Sequence, residues 1–147
     1  MRHATVAMLA AAVVFAAGCS QMHDMMRSDS KSTSENVALT GSNEVPPVTS
    51  PASGSGNVSV SSDRMVTARI TVTGMTGTAA HIHQGAPGSN GPVIVPFVKE
   101  GENTFVAAPG AKMTEEQYRK YKDGETYVNV HSARNPGGEV RAQLKGK

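Results

Sequence analysis

Three histidines carry the spacing most suggestive of chemistry. His81 and His83 stand in Ala79-Ala80-His81-Ile82-His83, and His131 ends Tyr127-Val128-Asn129-Val130-His131. In an extended strand, residues i and i+2 share a face and lie about 6.5–7 Å apart at Cα, so two imidazoles can converge on one ion. Ile82 then points the other way, into a core. Val128 and Val130 take the core face of the second segment and His131 the opposite one. Adjacent strands are about 4.8 Å apart, so a third imidazole closes the set where those strands pair or lie close. Neutral imidazole suits copper and zinc, and three of them leave a position open for water or a substrate. Bound metal needs deprotonated rings, so binding is expected to weaken as the pH falls through the unperturbed value of about 6.5. The plainer alternative is a set of polar residues hydrogen-bonding loops at a sheet rim, and an H-x-H pair alone does not separate the two.

Other residue types are less informative. No Ser-His-Asp or Cys-His set is readable and no carboxylate pair stands out for acid–base work, so no enzyme is assigned. The glycines of Gln84-Gly85-Ala86-Pro87-Gly88-Ser89-Asn90-Gly91-Pro92 lead into a strand rather than a helix, and they read as turns rather than a phosphate cradle. Met22-His23-Asp24-Met25-Met26 offers soft ligands that could take a copper ion in passing, although incidental methionines in a polar segment explain it more simply.

The elements that must position the histidines read as strands. Val66-Thr67-Ala68-Arg69-Ile70-Thr71-Val72-Thr73 puts Val66, Ala68, Ile70 and Val72 on one face, and Asn57 to Ser61 alternates likewise. Further strands are expected at 37–40, 79–83, 93–98, 104–107, 126–131 and 139–144, with Gly- or Pro-containing turns between almost all of them. One helix is expected over 114–122, where Thr114 and Gln117 form a capping box, acids lie in the first turn and Gly124 follows the end. Short strands at such spacing predict an all-β fold, a sandwich or barrel of antiparallel sheets.

The amino terminus reads as an address. Met1-Arg2-His3 precedes an apolar run from Val6 to Ala17, then Gly18, Cys19 and Ser20. That is the layout of a secretory signal, and the run is shorter than the roughly 20 residues a membrane-spanning helix needs. Ala16-Ala17-Gly18-Cys19 resembles a bacterial lipobox, which implies a signal peptide over 1–18 and lipidation of Cys19, the chain's one cysteine. Residues 19–36 are polar and Ser-rich and are expected to form a flexible tether. Ser20 is not the Asp that retains many lipoproteins at an inner membrane. An exported protein on the periplasmic face of an outer membrane is therefore expected, its membrane partner engaged through the lipid.

With 147 residues, the chain has room for one domain. Aromatic content is 4% and Trp is absent, so the core must come from Val, Ile, Leu, Ala and a few Met, Phe and Tyr. A net charge of +2, with no basic stripe interleaved with aromatics, argues against nucleic acid as a partner.

Three motifs carry a family resemblance. Leu39-Thr40-Gly41-Ser42-Asn43-Glu44-Val45-Pro46-Pro47-Val48 comes first. Ala80-His81-Ile82-His83-Gln84-Gly85 with Gly91-Pro92-Val93 comes second. Tyr127-Val128-Asn129-Val130-His131-Ser132 with Asn135-Pro136-Gly137-Gly138-Glu139-Val140-Arg141 comes last. Together they resemble the chordin-type (CHRD) domain over residues 37–145. The resemblance implies an extracytoplasmic antiparallel Greek-key β-sandwich, immunoglobulin-like or superoxide-dismutase-like, and implies little about activity. A weaker likeness is to copper/zinc superoxide dismutase. His81, His83 and His131 are similar to its copper-binding histidines, and Gly137 to Arg141 is similar to the segment carrying its anion-attracting arginine. No histidine lies between His83 and His131, so the bridging and zinc ligands of that family are missing. Around the histidines, Glu44 is a candidate ligand, supporting acceptor or partner of Arg141, against a surface loop acid. Asn129 shares a face with His131 and is a candidate hydrogen-bonding neighbour. The expected activity is copper holding at the envelope. The alternatives are a non-catalytic module binding an envelope protein or polysaccharide, and a dismutase-like enzyme.

Overall fold

The computed structural model describes residues 31–147. The expected signal peptide over 1–18, Cys19, His23 and the expected tether up to residue 30 lie outside the described residues. Eight strands follow in order: β1 Ser32–Thr40, β2 Ser53–Ser61, β3 Val66–Thr73, β4 Gly77–Gln84, β5 Val93–Lys99, β6 Thr104–Ala107, β7 Thr126–Ser132 and β8 Val140–Leu144. One helix, α1 Glu115–Lys122, joins β6 to β7. Its capping box is present as expected: Thr114 Oγ1 accepts from the Gln117 N–H at 3.2 Å, and Gln117 Oε1 accepts from the Thr114 N–H at 2.8 Å.

All strand pairs are antiparallel, and the order β1-β2-β3-β6-β5-β4-β7-β8 returns on itself as a closed barrel. Strands β4, β5 and β6 form a meander, and β7 comes back to lie beside β4, which is a Greek-key connection. The expected Greek-key path is therefore present, but the two open sheets of a sandwich are replaced by one closed sheet. The closure is thin. β1 and β8 meet at a single register pair, Thr40 with Arg141, whereas β1 and β2 pair along their whole lengths. Closure of a sheet removes exposed edges, and strand periodicity, being local, reads the same in either arrangement.

The period-two pattern sets the interior. Leu39, Val58, Val60, Ile70, Val72, Ile82, Val128, Val130, Val140 and Leu144 are buried in one core with Phe105 and Tyr121. Residues 32–36, expected as tether, are part of β1 instead. They pair with β2 from Ser32↔Ser61 to Asn36↔Asn57. Their side chains are polar and at most half-buried: the Ser34 hydroxyl donates to Asn57 Oδ1 at 3.2 Å and Ser32 bonds Ser59 across the ladder. Main-chain pairing holds this stretch, and composition does not report main-chain pairing.

Candidate metal centre

Strands β4, β7 and β8 lie side by side, with His81 opposite Asn129 and Asn129 opposite Arg141. Since Ile82, Val128, Val130, Val140 and Ala142 face inward, the alternate residues His81, His83, Tyr127, Asn129, His131, Arg141 and Gln143 form the outer face of this part of the barrel. Such a face would ordinarily be wet. Here it is roofed by the segments joining β1 to β2, β4 to β5 and β7 to β8. Asn43 Nδ2 donates to the Arg141 carbonyl at 3.1 Å, Asn90 Nδ2 to the Val45 carbonyl at 2.6 Å, and Ser50 Oγ to Glu139 Oε1 at 2.5 Å. Tyr127, Asn129 and Arg141 are buried in consequence, although none faces the core. A register irregularity between Ile82 and His83 in the β4–β5 pairing falls within the H-x-H pair itself, where bulges commonly re-aim a side chain.

The three imidazoles come together beneath that roof. One nitrogen from each of His81, His83 and His131 lies within 4.8 Å of the others. His81 Nδ1 and His131 Nε2 are 3.0 Å apart, and the His81 ring centroid is 5.5 Å from that of His83. Two rings have their tautomers fixed by main-chain carbonyls. His83 Nδ1 is 2.9 Å from the Gly91 oxygen, and His131 Nδ1 is 2.9 Å from the Pro136 oxygen. A carbonyl only accepts, so each Nδ1 carries the hydrogen and each Nε2 presents a lone pair. This is the arrangement that holds metal-ligating histidines in register. His81 Nδ1 then donates to His131 Nε2 while both rings are uncoordinated. Burial, with the neighbouring His131 and His83 rings acting in the same direction, pushes His81 down to about 4. Burial also pushes His83 down, against the Gly91 hydrogen bond, which pulls it up. Those two rings are therefore neutral at physiological pH, the form that binds metal.

Glu44 and Asn129 are drawn to this site. Glu44 is buried rather than a surface loop acid, and burial pushes its carboxyl up to about 6 against the opposing charge of Arg141. Asn129 lies beside both Glu44 and His83. Arg141 is placed differently from the anion-attracting charge expected of it. It is 1% exposed, its guanidinium carbon sits 3.4 Å from the centroid of the Tyr127 ring, and it donates to the Ser89 carbonyl at 2.8 Å and Asn90 Oδ1 at 3.1 Å. Its hydrogens fasten the β4–β5 loop.

Sequence reasoning passed over two residues. Tyr127 stacks on His83 at 4.8 Å with 4° between the rings, and its hydroxyl accepts from the Gly91 N–H at 3.3 Å. It shares the strand face of Asn129 and His131, so the period-two rule was enough to find it. Gly138, with φ of +130°, is the other: a Cβ there would lie 2.5 Å from both Asn129 Nδ2 and Glu44 Oε1. The Gly137-Gly138 pair reads simply as a turn, and nothing in it announces a close approach.

A closed Greek-key barrel with three imidazoles gathered on its roofed outer face defines an all-β domain with a candidate metal centre. The CHRD domain family model matches residues 36–144, and the chain belongs to that family. No curated protein and no solved structure matches it significantly. The likeness to copper/zinc superoxide dismutase accordingly rests on the residues quoted for it alone.

Proposed function

We propose that this CHRD domain binds one transition-metal ion, copper, through His81, His83 and His131, as an exported protein held at the cell envelope by lipid on Cys19. The observation that carries the metal is the convergence of three ring nitrogens within 4.8 Å, two of them aimed by main-chain carbonyls. Nitrogens bound to one tetrahedral ion at about 2.0–2.1 Å are separated by roughly 3.3 Å, so small ring rotations bring these into reach. Copper is preferred to zinc because divalent copper binds nitrogen donors more tightly at equal geometry, and zinc also suits the donor set. A bound ion supplies a Lewis-acidic centre with one position open beyond the three rings. The chain's own residues bury His83, hold His81 and His83 neutral and fix the tautomers of His83 and His131. Dismutation forms no part of this proposal, since Arg141 is tied to the β4–β5 loop.

Titrating the purified protein with Cu²⁺ and Zn²⁺ is the test. Near-stoichiometric copper uptake with a nitrogen-rich electron paramagnetic resonance signature is expected, lost when all three histidines become Ala. Equal uptake by the triple variant would overturn the assignment. The anchor is tested separately: Cys19→Ser should release the protein from membranes, and the wild-type amino terminus should carry acyl mass.

A further inference from the structure

Three buried side-chain atoms on this face have no hydrogen-bond partner among the described residues: Glu44 Oε1, Asn129 Oδ1 and His83 Nε2. Their residues are 5%, 2% and 8% exposed, respectively. An unpaired buried polar atom costs about 1–3 kcal/mol, so three on adjoining residues call for a ligand that satisfies them. All three present lone pairs. His83 Nε2 does so because its Nδ1 hydrogen goes to Gly91. Glu44 is an ionised acceptor at neutral pH, and an amide oxygen only accepts. Asn129 Nδ2 and Glu44 Oε1 both approach Gly138, which puts the amide nitrogen on the carboxylate side and leaves Oδ1 toward the histidines. The only cation among these groups, Arg141, directs three of its five guanidinium hydrogens to Ser89, Asn90 and Gln143. A cleft of about 280 Å³ reaches Glu44 and Gly138 from solvent, with the exposed Arg134 among its lining residues.

Resting on the three-histidine proposal, we infer that the position left open by His81, His83 and His131 takes a ligand that donates a hydrogen bond to Asn129 Oδ1. Water, or another small molecule with an O–H or N–H, fits in preference to a bare anion. Glu44 is the positioning residue that orients the Asn129 amide. An anion brought to the same place would face the amide oxygen and a nearby carboxylate with no hydrogen to offer either.

The test is azide titration of the copper-loaded protein, followed by its visible charge-transfer absorption, with paramagnetic resonance confirming copper in every sample. Asn129→Leu removes the acceptor at similar volume, and Glu44→Gln removes the charge and frees the amide to turn. Glu44→Gln is expected to bind azide about tenfold or more tightly than wild type, the scale of one nearby charge in a partly buried site, and Asn129→Leu, which removes a lone pair but no charge, several-fold more tightly. Azide affinities equal to wild type in the folded variants overturn the inference. Should Asn129→Leu fail to fold, Glu44→Gln decides alone. Failure of wild type to take up copper removes the metal proposal and this one with it, whereas copper binding with unchanged azide affinities removes only this one.

Discussion

At the scale of the residue, pH is the most direct probe, because two groups on this face are shifted in ways that oppose each other. His81 is held near 4 against an ordinary value of 6.5. Between those values the unfolded chain binds the proton that the folded one refuses, so this contribution to stability is full above pH 6.5 and is lost as the pH falls toward 4. Glu44 is raised from 4.5 to about 6, so its contribution is present below 4.5 and lost as the pH rises through 6. Glu44→Gln removes the opposing contribution. Urea denaturation of the metal-free protein between pH 6.5 and 4 should therefore show a steeper loss of stability in that variant than in wild type, and parallel curves would contradict the assignment. Gly138→Ala places a methyl group 2.5 Å from both Asn129 and Glu44 at a φ of +130°, and a loss of about 2 kcal/mol or more in denaturant midpoints is expected. The ligand-type residues were legible in the sequence because pleating alone turns His81, His83 and His131 from the core. The depressed values were not, since the unperturbed 6.5 presumes solvent and the cover over this face is fastened by contacts such as Asn90 to Val45, 45 positions apart, and Asn43 to Arg141, 98 apart.

At the scale of the element, local rules carried most of the fold. All eight strand positions and the helix follow from alternation, turn residues and one capping box, and Thr114→Ala should cost about 1 kcal/mol by chemical denaturation, since it removes an acceptor from the first turn. Strand length was less legible. None of the first five residues of β1 is fully buried, yet they lie in the ladder, and Glu35 among them accepts from the Lys145 and Gly146 N–H groups at 2.9 and 3.4 Å. Glu35→Ala should speed amide exchange at the carboxyl-terminal residues while leaving β4 and β7 protected. Whether eight antiparallel strands close or split depends on which edges meet, and for β1 and β8 that is decided by residues about 100 positions apart.

At the scale of the whole molecule, an ion held only by the folded state adds its binding energy to stability, about 2.7 kcal/mol when free metal exceeds the dissociation constant a hundredfold. Calorimetry should show a higher melting temperature with Cu²⁺ in wild type and no rise in His131→Ala. The seam of the barrel makes a second demand on the molecule. Arg141 supplies the one backbone pairing between β1 and β8, and its carbonyl accepts from Asn43. Its side chain meanwhile pins Ser89 and Asn90. Hydrogen exchange of Arg141→Met should rise together in residues 85–92 and along the carboxyl half of β1, rather than in the loop alone. One side chain and its own peptide group thus latch a wall and a ceiling at once, so breathing that parts the staves there is expected to loosen the loop that covers His83 as well.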